Sequence, residues 1–392
     1  MPHIWVDNDA ALARVVEQLI TEPRYALDTE FHGERTYHPQ LALIQIAWDG
    51  GLALIDPLTV DPKPLCDVLR SPAVMVAHAC DQDLAILERH CGVLPSRLFD
   101  TQIAAGFMGL GTPALAALSE KLLRVKLTKG DRLTDWTKRP LSVAQREYAA
   151  SDVEHLLAIA DAIQIDLAAR GRLEWALDEC EARRLRPRGK ADPTSAWWRI
   201  KGSRQFRGAT RGVAQEVAAW RERAAEASDI PPRFVLSDLA LMGVIQKPPR
   251  DRDDLTAIRG IDGRHLKQPG LGELIEAVER GRNLAPDDLV LPDRDDTDRS
   301  LGPAVSVISA WLNQRAHELA LESQLLATRS DLVDLLNTGA GRLAEGWRAE
   351  LVGEPIRALM AGKAAITLAD GGRRIVLDRS ESTVTQPAPA VE

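Results

Sequence analysis

Cysteine is scarce in this chain, and none of its four cysteines shows the Cys-x-x-Cys spacing of a zinc site. Long apolar runs are absent as well, because no segment approaches the roughly 20 residues that span a bilayer. Residues 10–20 form an amphipathic helical pattern, with no charged start and apolar core of the signal-peptide kind before it. These absences predict a cytoplasmic protein with reduced thiols at Cys66, Cys80, Cys91 and Cys180.

An overall excess of positive charge is also lacking, since the net charge is −8, which taken alone argues against a nucleic-acid partner. One stretch differs from this overall balance. Residues 183–211 contain ten basic residues and a single acid, Asp192. Interleaved aromatic residues suit a contact that follows a nucleic-acid backbone and stacks bases. The alternative is a solvated linker whose aromatics dock it onto the preceding domain. The aromatics are Trp197, Trp198 and Phe206, and the basic residues are Arg183, Arg184, Arg186, Arg188, Lys190, Arg199, Lys201, Arg204, Arg207 and Arg211.

The 392 residues predict two or three domains, and a hydrophobic content of 45% is enough for each to bury a core. In the first half, strand-like and helical patterns alternate. Closely spaced early strands favour an antiparallel meander, followed by a parallel strand reached through a helix. The fold class is therefore α/β, a mixed sheet flanked by helices. The strand patterns are at 25–31, 41–48, 52–55 and 74–77, and the helical ones at 64–69, 83–90, 101–108 and 114–123.

Acidic residues interrupt one of these apolar strands. Asp28 and Glu30 are two residues apart and point from the same face of the strand. Tyr148 and Asp152 are four residues apart in the helical pattern 141–157, so they share one helix face. Each pair alone is common in a structural role, but an unpaired charge in an apolar strand is costly. Converging carboxylates need cations, and oxygen ligands favour two Mg²⁺ or Mn²⁺ ions over zinc.

Several short motifs, taken together and in order, resemble those of the DEDD exonucleases in their tyrosine-bearing branch, and within it the ribonuclease D family. The resemblance covers about the first half of the chain and implies a ribonuclease H-like fold for the sheet. The matching segments are residues 27–31, 35–46, 78–84, 99–102, 134–136 and 148–152.

Carried over by position, the resemblance implies that four carboxylates bind the metals and that Tyr148 positions the attacking water. The middle motif holds two acids, Asp81 and Asp83, and the residues alone exclude neither. The family pattern favours Asp83, directly before Leu84, which leaves Asp81 as an acid favoured by the helix dipole. The implied metal ligands are then Asp28, Glu30, Asp83 and Asp152.

Four further residues are candidate substrate contacts. His78 either contacts the substrate or is a hydrogen-bonded histidine at a strand end. Asp100 is expected to orient the residues around it. Trp136 either stacks on a base or packs in the interior, and Gln45 completes the set.

The second half is predicted to be all-α, with two helical domains. Residues 210–285 resemble the HRDC domain, a small nucleic-acid-binding module, and residues 301–378 look like a weaker second copy. Residues 364–368 and 374–377 flank an Asp-Gly-Gly turn signal and predict a small hairpin. The expected boundaries are 1–175 for the catalytic domain, 176–209 for a basic linker, 286–300 for an acidic linker and 379–392 for a disordered tail.

The resemblance implies a 3′→5′ exoribonuclease that shortens single-stranded RNA 3′ ends, releases nucleoside 5′-monophosphates and matures transfer RNA precursors and other small structured RNAs. No membrane and no obligate protein partner are expected. Two alternatives stay open, a DNA 3′→5′ exonuclease and a non-catalytic RNA-binding adaptor. The adaptor is disfavoured because all four carboxylates and Tyr148 are present.

Overall fold

The computed structural model describes residues 3–127, 134–188, 192–261, 270–291 and 299–378. Its N-terminal part is built on a six-stranded sheet with the order β1-β4-β3-β2-β5-β6. Strands β2, β3 and β4 form an antiparallel meander, whereas β5 and β6 extend the sheet in parallel to β2. The predicted mixed sheet is confirmed. Its strands are β1 (Ile4–Val6), β2 (Arg24–His32), β3 (Gln40–Trp48), β4 (Gly51–Ile55), β5 (Val74–Ala77) and β6 (Arg97–Asp100).

Helices cover both faces of this sheet, which explains why β3 and β4 are apolar almost throughout. On β4, Leu52 and Leu54 enter one hydrophobic core, and Ala53 and Ile55 enter the other. The period of two along a strand thus divides the buried side chains between two layers. The helices are α1 (Asp9–Thr21), α2 (Leu65–Arg70), α3 (Asp81–Cys91), α4 (Thr101–Phe107), α5 (Leu115–Leu123), α6 (Val143–Glu154), α7 (Leu156–Ala169) and α8 (Leu173–Leu185).

A helical unit with its own hydrophobic core follows. The aromatic residues of the basic stretch belong to this unit, because Trp197 and Phe206 are buried in its core. Both Trp197 and Trp198 donate their indole N–H groups to the carbonyl of Val290. Of the two roles considered for these aromatics, neither describes Trp197 and Phe206 fully, because both pack mainly inside this unit, against whose core Tyr37 of the preceding domain also packs. After a 3₁₀ turn at Pro193–Arg199, the helices are α9 (Ala209–Ala227), α10 (Pro232–Val235), α11 (Asp238–Gln246), α12 (Arg252–Thr256) and α13 (Leu271–Arg282).

The last described segment has no separate core. Val305, Leu326 and Trp347 belong to the same hydrophobic cluster as Phe107 and Ile163 of the sheet domain. The predicted hairpin is present as the antiparallel pair β7 and β8. The elements are α14 (Gly302–Leu319), α15 (Ser323–Leu326), α16 (Arg329–Thr338), α17 (Gly346–Arg348) continuing into a π-helical turn (Ala349–Gly353), α18 (Glu354–Met360), β7 (Ala365–Ala369) and β8 (Arg374–Asp378).

Some expectations fall outside the described ranges. They concern the tail 379–392, residues 292–298 of the acidic linker and Lys190 of the basic stretch. Within the described ranges, no helix combines the length and the apolarity needed to cross a bilayer.

Candidate active site

The carboxylates predicted from β2 and α6 converge at the centre of the sheet. Asp28 and Glu30 project from β2, where Asp28 lies opposite Gln45 of β3. Asp152 comes from α6, which packs against both β2 and β3. Carboxylate oxygens of Asp28, Glu30 and Asp152 all lie within 4.8 Å of one another. This three-carboxylate set is the only such group of three or more potential ligands among the described residues.

Asp83 lies beside this set but is not one of its mutually close members. Its side chain is only 6% exposed and accepts a hydrogen bond from the hydroxyl of Thr29, which stands between Asp28 and Glu30 on β2. Asp81, in contrast, is half exposed and forms ion pairs with Arg183 and with Arg188 at 3.9 Å. The geometry therefore favours Asp83 as the middle acid of the site.

Burial and neighbouring charge raise the pKa values of Asp28 and Asp83. The pKa of Asp28 is raised well above its usual value, first by burial and then by the neighbouring charges of Asp83, Asp152 and Glu30. Burial also raises the pKa of Asp83 to about 6, although the hydrogen bond from Thr29 opposes the shift. Full ionisation of the group is thus costly without a counter-charge. Hard divalent cations fit such an all-oxygen donor set.

Helix α6 carries a phenol one helical turn before Asp152. Its first turn is fixed by a capping box, in which Ser142 accepts from the Gln145 N–H and Gln145 accepts from the Ser142 N–H. Tyr148 lies one turn before Asp152 on this helix. The ring of Tyr148 packs at a tilt against Trp136, with 6.1 Å between the centroids. Helix α6 ends at Glu154, so the single predicted helix 141–157 is in fact divided at His155.

A cavity of about 260 Å³ opens beside the acids. It is lined by Asp28, Asp152, His78, Gln102 and other residues near the start of α5. The Nδ1 atom of His78 is 2.9 Å from the hydroxyl of Thr101. Burial lowers the pKa of His78, which favours the neutral imidazole. His78 is thus placed where a substrate would contact it, and its predicted alternative role as a hydrogen-bonded histidine is met as well.

The remaining three candidates do not line this cavity. Asp100 is buried and its carboxylate accepts four backbone N–H groups, those of Ala79, Cys80, Gln102 and Ile103. It therefore caps α4 and holds the turn that leads into α3, where Ala79 has a positive φ of 58°. This geometry agrees with the orienting role expected for Asp100.

Gln45 and Trp136 are both interior residues in this structure. Gln45 is fully buried across from Asp28, and no hydrogen bond to its amide group occurs within the described part of the chain. The side chain of Trp136 is 3% exposed, so its ring is occupied by packing and is not open to a base. Of the two roles considered for Trp136, the geometry favours packing.

Sequence reasoning missed Thr29 and Gln102 as site residues. Thr29 bonds Asp83 and Gln102 lines the cavity. The alternation of β2 signals that Thr29 points away from Asp28 and Glu30, but nothing local identifies its partner 54 residues later.

Comparisons with known proteins agree with this geometry. The family model for a 3′-5′ exonuclease matches residues 3–168, and that for the HRDC domain matches residues 210–277. Ribonuclease D of Zymomonas mobilis is 34% identical, over 97% of this chain and 99% of its own length. Ribonuclease D of Nitrobacter hamburgensis is 33% identical, over 96% and 99%.

A solved structure extends the similarity to the fold. The crystal structure of Escherichia coli RNase D, described as an exoribonuclease involved in structured RNA processing, superimposes with a TM-score of 0.82 at 33% identity. The match covers 92% of this chain and 99% of that one. The chain therefore belongs to the ribonuclease D family of hydrolytic 3′-5′ exoribonucleases.

Proposed function

We propose that this protein trims single-stranded 3′ ends of structured RNAs, transfer RNA precursors among them, and releases nucleoside 5′-monophosphates. The observation that carries the proposal is the convergence of Asp28, Glu30 and Asp152 within 4.8 Å, inside the matched exonuclease domain. The substrate class is supported by the relatives, one of which is described as acting in structured RNA processing.

The site fits two divalent ions, Mg²⁺ or Mn²⁺, held by Asp28, Glu30, Asp83 and Asp152. Support comes from the donor set, which is all carboxylate, and from the raised pKa of Asp28, which reflects first burial and then the repulsion of neighbouring carboxylates that cations would relieve. When bound, such a pair activates water and stabilises the charge that develops on the leaving oxygen of a phosphodiester.

Around this centre the side chains supply orientation. The phenol of Tyr148 stands one helical turn from Asp152, where it would orient the attacking water. Tyrosine has an unperturbed pKa of about 10, so its hydroxyl is a hydrogen-bonding group and a poor base at neutral pH. The neutral imidazole of His78 would contact the substrate in the cavity.

The domain boundaries follow the same proposal. Residues 1–175 would carry catalysis and 210–285 would form the HRDC-type domain that contacts RNA. Of the proposed linker 176–209, the part in α8 packs with the catalytic domain, whereas Trp197 and Phe206 pack in the HRDC-type unit. Residues 301–378, after the acidic linker 286–300, would support the catalytic domain through their shared core.

A time course with a 5′-labelled RNA hairpin that carries an unpaired 3′ tail tests the proposal. We expect a ladder that shortens from the 3′ end in Mg²⁺ or Mn²⁺, stops near the stem and disappears with a chelator. Thin-layer chromatography of a uniformly labelled RNA should show nucleoside 5′-monophosphates. Internal cleavage, or cleavage that a chelator leaves unchanged, would overturn the proposal.

A DNA hairpin of the same sequence, assayed in parallel, tests the substrate class. We expect the RNA tail to be shortened faster. Equal or faster shortening of the DNA tail would replace the RNA proposal with a DNA-trimming function.

A further inference from the structure

We propose that the ion pair between Arg139 and Asp56 is a positioning device for the reaction, which acts on Tyr148 through Trp136. The inference rests on the proposed function, because it assumes that Tyr148 orients the attacking water. Neither Arg139 nor Asp56 lines the cavity beside the carboxylates.

The pair is bidentate and largely withdrawn from solvent. Arg139 Nε lies 2.6 Å from Asp56 Oδ2, and Nη2 lies 2.7 Å from Oδ1. Asp56, directly after β4, is 2% exposed. Two parallel hydrogen bonds between planar groups fix the direction of the guanidinium as well as its position.

The guanidinium of Arg139 also donates to three backbone carbonyl groups, those of Trp136, Lys138 and Ala42. Nη1 donates to the carbonyl of Trp136 at 2.7 Å, and Nη2 also donates to the carbonyl of Ala42 on β3 at 2.6 Å. One guanidinium thus ties the segment 134–140 to the sheet. Within that segment, Asp135 accepts from the N–H and the hydroxyl of Thr137, which makes a tight local turn.

The segment 134–140 is linked to Tyr148 in two ways, by a ring contact and by the chain that leads into α6. The buried ring of Trp136 packs on the ring of Tyr148, with 6.1 Å between centroids. The chain also runs from Arg139 through buried Leu141 directly into α6, which begins at Val143 and carries Tyr148. A displacement of Arg139 would therefore shift both the ring that supports the phenol and the helix that bears it.

This arrangement explains why an ionised pair is buried here. Breaking it would leave Asp56 charged, buried and without its main partner, so the segment 134–140 would have to move to hydrate it. A shift of about 1 Å at a group that orients a reactant costs up to roughly 100-fold in rate. Catalysis should therefore suffer before the metal ligands are disturbed.

A double-mutant cycle tests the proposal in the full-length protein. Arg139→Gln is made in the natural background and together with Tyr148→Phe, and single-turnover hydrolysis of a 5′-labelled RNA is measured at saturating enzyme. We expect Arg139→Gln to slow hydrolysis about tenfold in the natural background and less than about twofold in the Tyr148→Phe background. RNA affinity should change little in either.

Arg24→Gln is the matched control. Arg24 forms a bidentate pair with Asp161 on α7, and its side chain is 27% exposed against 22% for Arg139. Its ion pairs are with Asp49 and Asp161 and thus lie outside the segment 134–140. Arg24→Gln should lower the melting temperature. It should not slow hydrolysis more in the natural background than in the Tyr148→Phe background. If Arg139→Gln melts below the assay temperature, Arg139→Lys enters the same cycle, because it keeps the charge but loses the bidentate geometry.

The outcomes separate the two proposals. An equal loss of rate in both backgrounds, or no loss in the natural background, would overturn the positioning role of Arg139. A normal rate in Tyr148→Phe alone would instead remove the proposed role of Tyr148.

Discussion

Asp81 and Asp83 are two residues apart on α3, yet their surroundings differ completely. Asp83 is buried and bonded to Thr29 beside the carboxylates, whereas Asp81 is half exposed and bonded to Arg183. Asp83 therefore lies on the helix face toward the proposed site, whereas Asp81 lies on the face that contacts α8. We therefore expect different effects from the two similar substitutions Asp81→Asn and Asp83→Asn.

We expect Asp83→Asn to slow RNA hydrolysis by roughly 100-fold or more, because it removes a charged metal ligand worth several kcal/mol of transition-state stabilisation. Asp81→Asn is the matched control and should stay within about threefold, since an exposed ion pair contributes little. Initial rates on one RNA substrate compare them. The reverse ranking would make Asp81 the middle ligand.

The raised pKa values predict how pH affects the metal-free protein. Asp83 binds its proton more tightly when folded, with a pKa of about 6 against 3.8 for an unperturbed aspartate. The folded state therefore holds more protons in this window, and the contribution of Asp83 to stability is lost as pH rises from about 4 to 6. Asp28 is shifted in the same direction.

With a chelator present, Asp83→Asn should therefore raise the melting temperature relative to the natural protein more at pH 7.5 than at pH 5. Added Mg²⁺ should stabilise the natural protein more at pH 7.5 as well, because its ligands must be ionised. Differential scanning fluorimetry at both pH values measures this. An Mg²⁺ effect that is larger at pH 5 would contradict the assignment.

Helix α6 depends on its capping box to present Tyr148. Ser142→Ala should cost about 1 kcal/mol of stability, and so should Thr328→Ala, which removes the similar box of α16. Only Ser142→Ala should also slow hydrolysis, because fraying of the first turn of α6 loosens the phenol. Melting temperatures and single-turnover rates for both variants are the measurement. Equal rates despite equal destabilisation would show that the cap does not influence the site.

Among the secondary-structure elements, prediction succeeded where the hydrophobic pattern repeats over many residues and failed where the element is short. Strand β3 and helix α3 lie within two residues of their predicted bounds. Strands β1 and β6 were missed because β1 has only three residues and β6 has only two apolar residues between Arg97 and Asp100.

The site itself was predictable only in part. Asp28, Glu30, Tyr148 and Asp152 were found because their spacing matches a strand and a helix, and the family resemblance joined them. The pair of Asp56 and Arg139 gave no signal, since 83 residues separate the partners and neither lies in a motif. Contacts of that kind come from tertiary packing, which a single sequence does not encode locally.

Across the whole molecule, the hydrophobic cores of the described residues do not follow the order of the units along the chain. The HRDC-type unit has its own core, while the C-terminal segment shares one with the sheet domain. Trp347 stacks on Trp175 with 4.9 Å between centroids and meets Phe107 edge-on. The unit 301–378 therefore belongs physically to the catalytic domain, although the HRDC-type unit separates them in sequence.

Trp347→Ala should lower the free energy of unfolding by about 3–5 kcal/mol. It should lower the melting temperature of the catalytic domain, the transition that Mg²⁺ raises. Trp220→Ala, in the core of the HRDC-type unit, is the matched control and should affect a transition that Mg²⁺ leaves unchanged. Calorimetry with and without Mg²⁺ distinguishes them. If both variants lower the same transition equally, the three units unfold as one.

The proposal that the carboxylates of β2, α3 and α6 together form the site that hydrolyses RNA from its 3′ end is tested most directly by Asp28→Asn. The single-turnover rate on a 5′-labelled RNA with a 3′ tail is compared with that of the natural protein in Mg²⁺, with circular dichroism as a check on folding. We predict a folded variant whose hydrolysis falls by roughly 100-fold or more. A folded Asp28→Asn protein that shortens the RNA at the natural rate would contradict the account.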